Sequence, residues 1–209
     1  MPAADAHLIE TRLSGEVLVR GSFLTLQRDA VRLPDGGQAT REYLNHPGAV
    51  AIVPLIEGNG GALQLVLERQ YRYPVEQVII EFPAGKLDPG ERAFDCARRE
   101  LREETGYAAR EWARAARLHP TVAYSTECID LWFARGLTQG ARRLDAGEHL
   151  DVFTATPRQL LDWCRDGTIT DAKTLVAALW LDQWLAGRWT LDWRAEQDWA
   201  AAVENTATS

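Results

Sequence analysis

Three glutamates, Glu100, Glu103 and Glu104, fall at i, i+3 and i+4 within the stretch 85–107, which reads GKLDPGERAFDCARRELREETGY. On an α-helix that spacing places them on one face, where like charges cost a few tenths of a kcal/mol per pair. The cost is understood if a cation sits among them. A hard divalent ion such as Mg²⁺ takes carboxylate oxygens and keeps positions open for water and phosphate oxygens. The same segment carries an apolar stripe, Phe94, Ala97 and Leu101, to dock the helix. Gly106 stands where a helix would end. Ahead of the helix, Gly85, Asp88, Pro89 and Gly90 make a turn-rich loop. Arg99, one turn before Glu103, would orient the carboxylates through fork-type hydrogen bonds, and Glu91 would brace the loop.

The elements that must position these groups are legible in outline. From 16 to 57 the signal is β: 17–20, 23–27, 30–33 and, after Pro34-Asp-Gly-Gly37, 39–43 read as short antiparallel strands. They form a small N-terminal subdomain, 1–47. After the turn His46-Pro47-Gly48, the fully apolar run 49–56 reads as a buried strand. A hairpin turn, 57–61, leads into a strand 62–69, and 71–76 is an irregular connection. A strand 78–82 delivers the chain to Pro83-Ala84-Gly85. Past the glutamate helix, 112–118 and 128–134 flank a loop, and 150–155 is a further strand. Thr156-Pro157 opens a helix to Arg165, with Thr as N-cap and Pro at the first helical position. Asp171 caps a longer helix, 172–186, expected to turn Leu175, Ala178 and Leu179 inward. Strands mixed with a few helices give an α/β sandwich, a mixed sheet between helices, in a domain 48–187. The acidic tail 188–209 holds Trp189, Trp193 and Trp199, expected as packing or dimer contacts. It has room for one more helix, and its last residues are expected to be disordered.

The stretch resembles the Nudix box, Gly-x5-Glu-x7-Arg-Glu-U-x-Glu-Glu-x-Gly-U with U bulky and apolar. Gly85, Glu91, Arg99, Glu100, Leu101, Glu103, Glu104, Gly106 and Tyr107 fill it, Tyr107 being an aromatic where an aliphatic is usual. A solvated acidic helix would explain a lone Glu-Glu pair, but not this whole pattern. Further matches point to the ADP-ribose pyrophosphatase branch. They are Arg69-Gln-Tyr-Arg72, Glu81-Phe-Pro-Ala-Gly85, the β-rich extension with Arg41 and His46-Pro-Gly-Ala-Val50, Pro120, Gly147-Glu-His-Leu-Asp151 and Ile169-Thr-Asp-Ala-Lys-Thr-Leu175. The resemblance implies a Nudix fold with an antiparallel β extension at the N-terminus, in a homodimer whose N-terminal strands meet across the two-fold. It implies Mg²⁺, with Mn²⁺ as substitute, held by Glu100, Glu104 and the backbone carbonyl of Ala84. Glu103 would be a third ligand or a bridge to a second ion, and Arg99 would orient them. Arg72, Arg69 and Arg41 would contact substrate, and Glu81 would accept a hydrogen bond from the adenine amino group. The catalytic base in that branch is commonly a glutamate on a loop after the box, which points to Glu148, with Glu127 as the alternative.

Composition is normal for a soluble globular protein: 46% hydrophobic, 25% charged. A net charge of −7 argues against a general nucleic-acid or anionic-membrane binder, so a phosphate-bearing substrate must be attracted locally. Cys96, Cys128 and Cys164, without a CxxC pair, read as reduced thiols in a cytoplasmic protein. The N-terminal residues hold no apolar signal core, and no apolar run is long enough to span a bilayer. The expected activity is hydrolysis of ADP-ribose to AMP and ribose 5-phosphate, with ADP-glucose or GDP-mannose as alternative substrates. A reading from another class is a non-catalytic ADP-ribose sensor, but such proteins usually lose box glutamates and this box is complete.

Overall fold

The run AVAIVPLIE, with scarcely a polar residue, can exist only where both faces of a strand are covered. The computed structural model describes residues 3–145 and 147–202, and in it this run is the central strand β4 (Ala49–Glu57). The described chain divides into two units, 3–48 with 119–128, and 49–118 with 129–202.

The first unit is a three-stranded antiparallel sheet of β1 (Thr11–Arg20), β2 (Thr25–Arg32) and β3 (Gln38–Asn45), in that order. The expected strands 23–27 and 30–33 are largely one strand, because Arg28 and Asp29 are not a turn. Arg28 pairs across the sheet with Glu42 at 2.8 Å, and Asp29 accepts from Arg12 at 2.8 Å and from Tyr43 at 3.0 Å. The distant segment 119–128 belongs to this unit, where the Leu44 amide donates to the Tyr124 carbonyl at 2.8 Å.

The second unit is a mixed sheet. It contains β4, β5 (Leu63–Arg72), β6 (Gln77–Glu81), β7 (Ala84–Lys86), β8 (Tyr107–Leu118), β9 (Ile129–Gln139), β10 (Leu150–Ala155) and the short β11 (Arg194–Ala195). The main path runs β10-β5-β4-β9-β8-β11, with β6 paired to β5 and β7 to β4. Among the described residues of this sheet, only β4 and β9 pair in parallel. The first half of β4 pairs β7 and its last residues pair β5, so the sheet splits there.

Alternation along β4 sends Val50 and Ile52 to one face, against helix α1 (Ala93–Thr105), and Ala51, Val53 and Leu55 to the other. That second face is covered by α2 (Pro157–Asp166) and α3 (Ala172–Leu185) through Leu160, Ala177 and Leu181. Each of the two leucines contributes about 1.5–3 kcal/mol when removed from water. The expected α/β sandwich is thus the observed layering. The cap of α2 is a full capping box, Thr156 with Gln159. On α3 the inward face is Thr174, Ala177, Ala178 and Leu181, whereas Leu175 and Leu179 are 37% and 50% exposed. The sequence expectation differed because this helix is apolar on nearly every side, so no stripe marks its inner face.

A final helix, α4 (Glu196–Ala201), brings Trp199 back to the α1 face. Its indole donates to the Trp112 carbonyl at 2.9 Å and meets Trp132 edge-on at 4.9 Å. The expected disorder of the last residues concerns 203–209, which lie outside the described residues. Among the described residues, no helix is long and apolar enough to cross a membrane.

Candidate active site

Helix α1 is amphipathic in the expected sense: Phe94, Ala97 and Leu101 are buried, and Gly106 ends the helix at φ 78°. The remaining faces carry the acids. Arg99 is their organiser. Its guanidinium grips Glu91 in a two-pronged contact at 2.8 and 2.9 Å and reaches Glu100 at 2.7 Å and Glu103 at 3.0 Å. It also donates to the Lys86 carbonyl at 3.1 Å. Glu91 in turn accepts from the Asp88 amide at 2.9 Å, so the loop is braced as the sequence suggested. The hydrogen bonds from Arg99 hold the Glu91 carboxyl below the usual carboxylate range.

Glu104, one turn on from Glu100, is buried and accepts from the Ala84 amide at 3.0 Å. Glycine at 85 makes the room in which the Glu100 carboxylate rests, since a Cβ there would lie 1.9 Å from the Glu100 carboxyl carbon. Burial pushes Glu100 up to about 7 against the pull of Arg99, with Glu103 and Glu148 adding repulsion. Burial, then the charges of Glu68, Glu100 and Glu148, drives Glu104 well upward.

Strand β5 supplies the next wall. Its period of two puts Glu68, Gln70 and Arg72 on one face. Glu68 pairs in register with Glu81 on β6, and is wholly buried with neither carboxylate oxygen hydrogen-bonded. Burial first, and then Glu81, pushes it up to about 8. Glu81 is also buried, but both its oxygens are held, one by Arg72 at 2.7 Å and the other by Lys173. Lys173 is steered there by the N-terminus of α3, where Asp171 meets it at 3.0 Å and caps the helix through the Thr174 amide. Glu148, on the loop before β10, accepts from Gln70 at 3.5 Å and from the Asp145 amide at 3.3 Å.

Glu100, Glu103, Glu104, Arg99, Ala84, Arg72, Glu81 and Glu148 are therefore brought together. Arg69, three residues from Arg72, lies on the opposite face of β5, where it pairs with Asp151 at 3.1 Å and sits over the Phe153 ring. Arg41 belongs to the N-terminal unit, and its guanidinium is engaged by Glu10 at 2.9 Å. Glu127 belongs to that unit too, 3.8 Å from His46. Glu81 meets two cations in this structure, where the resemblance implied an adenine contact.

Sequence reasoning missed Glu68 and Lys173. Each had a faint signal: an acid inside the apolar run of β5, and a lysine just inside the N-cap of an otherwise apolar helix.

Among the described residues, no three acidic, histidine or cysteine side chains meet at one point, because Glu100 and Glu103 turn to Arg99 and Glu104 to the Ala84 amide. The donor chemistry nonetheless fits a hard divalent cation. The pocket gathers carboxylates whose burial and mutual repulsion are uncompensated at Glu68, and the clearance at Gly85 leaves Glu100 room that any side chain would fill.

Comparison with known proteins gives a consistent answer. A NUDIX domain model matches residues 45–176, and a nucleoside diphosphate sugar hydrolase N-terminal domain model matches 10–44. The methanol dehydrogenase activator of Bacillus methanolicus is 36% identical over 174 residues, 82% of this chain and 92% of that protein. The ADP-ribose pyrophosphatase of Bacillus subtilis is 32% identical over 176 residues, 83% of this chain and 93% of that one. The crystal structure of an ADP compounds hydrolase superposes with a TM-score of 0.75 at 25% identity, covering 86% of this chain and 95% of that chain.

Proposed function

The chain belongs to the Nudix family, and from that premise we propose that it hydrolyses ADP-ribose to AMP and ribose 5-phosphate with Mg²⁺, or Mn²⁺ in its place. The broader class is hydrolysis of the diphosphate bond of a nucleoside diphosphate sugar, for which the matched N-terminal domain model and the Bacillus subtilis ADP-ribose pyrophosphatase are named. The observation that carries the reading is the convergence of the partly buried Glu100 against Gly85, the buried Glu104 on the Ala84 amide, and the Arg72 guanidinium, which interacts electrostatically with Glu104.

Breaking a phosphoric anhydride needs charge neutralised on phosphoryl oxygens and a water deprotonated close to phosphorus, and a bound divalent ion supplies chemistry of this kind. Glu100, Glu104 and the Ala84 carbonyl are the groups that would hold it, with Glu103 completing the set or bridging to a second ion. Arg99 fixes the direction of Glu100 and Glu103 from behind. Arg72 spends its Nε on Glu81, which leaves its outer nitrogens for the substrate diphosphate. Lys173, anchored on the same carboxylate, adds a second positive charge. Glu148 is the proton acceptor in this reading, supported by its place between Gln70 and the box acids. Arg41, and a homodimer formed through the N-terminal sheet, complete the proposal. The exposed Leu13, Val17 and Val19 of β1 support such an interface. The free thiols of Cys96, Cys128 and Cys164 support a reducing, cytoplasmic setting.

The test is product release from a panel of ADP-ribose, ADP-glucose, GDP-mannose, NADH and diadenosine polyphosphates, with Mg²⁺ and with EDTA. Mg²⁺-dependent preference for ADP-ribose, lost by about a hundredfold or more in Glu104→Gln, is the expected result. Dominant turnover of another sugar moves the substrate and keeps the site. Near wild-type turnover by Glu104→Gln refutes the ligand assignment.

A further inference from the structure

Behind the acids, between the outer side of α1, residues 141–143 and Glu196 of α4, lies a cavity of about 770 Å³ that shares Arg99 and Glu103 with the site above and is otherwise lined by residues the reaction does not use. Its walls hold acids and arginines, and the acids are all spoken for. Asp95 holds Arg92 at 2.6 Å, Glu196 holds Arg98 at 2.6 Å, and Glu103 holds Arg99 at 3.0 Å. Arg102, Arg142 and Arg143 line the same cavity. Among the described residues none of these three has a carboxylate partner, and the one hydrogen bond from their side chains runs from Arg142 to the Leu150 carbonyl at 3.3 Å. A chain of net charge −7 thus concentrates three uncompensated guanidinium groups around one hollow.

Like charges so arranged repel one another, and the repulsion is relieved by an anion. The planar fork of arginine matches the oxygens of a phosphate group. The apolar floor offers little else to recognise, because Trp112 is only 1% exposed and its neighbours are Ala108, Ala109 and Ala141. We propose that this cavity binds a small phosphate-bearing anion, held by Arg102, Arg142 and Arg143.

The position gives such binding a consequence. Arg102 is on the helix, and Arg142 and Arg143 are on the loop that ends in Glu148. That loop is already stitched to the helix by the Arg143 amide on the Glu103 carbonyl at 3.0 Å and the Gly140 amide on Gly106 at 2.7 Å. An anion bridging helix and loop would fasten the segment that carries Glu148. The site itself does not rest on the hydrolytic reading, since none of its three arginines serves that chemistry.

Calorimetric titration of the whole chain in EDTA at low salt tests this, with inorganic phosphate as the first probe and AMP as the second. EDTA keeps phosphate from being held through a divalent ion in the neighbouring cleft. The expected result is one site for phosphate, weakened about tenfold or more in an Arg102→Ala/Arg143→Ala double variant. It should keep its affinity in Glu104→Gln and weaken with added salt. All three arginines are exposed, so thermal unfolding of the double variant should match the wild type. No binding of phosphate by the wild-type chain up to about 10 mM, binding that survives the double substitution, or binding of AMP without phosphate would each overturn the proposal.

Discussion

Replacing Gly85 by alanine should separate the chemistry from the fold. A methyl at that position would sit 1.9 Å from both Cδ and Oε1 of Glu100 and 2.6 Å from its Cγ, where ordinary contact begins at 3.4 Å. The Glu100 carboxylate must therefore retreat by about 1.5 Å. Two things make the retreat inexpensive for folding. The obstructing atoms are the end of a flexible side chain, and the Gly85 backbone is paired to Val50 in a conformation open to alanine. For the site the same retreat is large, because it carries Glu100 away from Ala84 and loosens the Arg99 contact now at 2.7 Å. Misplacing a positioned group by about 1 Å can cost about a hundredfold in rate, so kcat/KM should fall by about that factor. The Mg²⁺ concentration giving half-maximal rate should rise by about tenfold. Unfolding in EDTA should change by less than about 1 kcal/mol. The assay is ADP-ribose turnover across a Mg²⁺ titration, paired with urea unfolding in EDTA. A variant with wild-type Mg²⁺ dependence and rate would refute the reasoning about Glu100. One that loses several kcal/mol of stability would refute the claim that only the carboxylate yields.

Two further outcomes follow from the packing and the electrostatics. Glu68 is raised from 4.5 to about 8 by burial, so between those values the folded chain holds a proton that the unfolded chain has released. Stability therefore falls as pH rises through that window. In EDTA, Glu68→Gln should flatten the slope by up to about 1.4 kcal/mol per pH unit, and urea unfolding from pH 5 to 8.5 with parallel curves for the two proteins would contradict this. Trp199→Ala removes a half-buried indole from the Phe94, Trp112 and Trp132 cluster, together with its hydrogen bond to Trp112. A loss of about 2 kcal/mol in unfolding is expected, with kcat unchanged at 25 °C, and a loss below about 0.5 kcal/mol would show that α4 contributes little.

The box and its helix were legible in the sequence because their information is local. Glu100, Glu103, Glu104, Arg99 and Gly106 lie within two turns of one another, so the 3.6-residue period alone assigns their faces and their terminator. The same holds for β4, whose apolar run requires cover on both sides, and for α2, whose cap residues adjoin it. What the sequence could not decide depends on pairing between distant segments. Arg69 and Arg72 look interchangeable until strand alternation sends one to Asp151 and the other to Glu81. Nothing local to Glu81 foretells that α3 delivers Lys173 to it from 92 residues away. Glu68 is one acid in an apolar strand until the register with β6 and the approach of α1 leave it buried without a partner. Local spacing singled out the candidate acids of this protein. Their charges and neighbours were settled by tertiary structure, because burial and long-range pairing are properties of the assembled sheet rather than of any one segment.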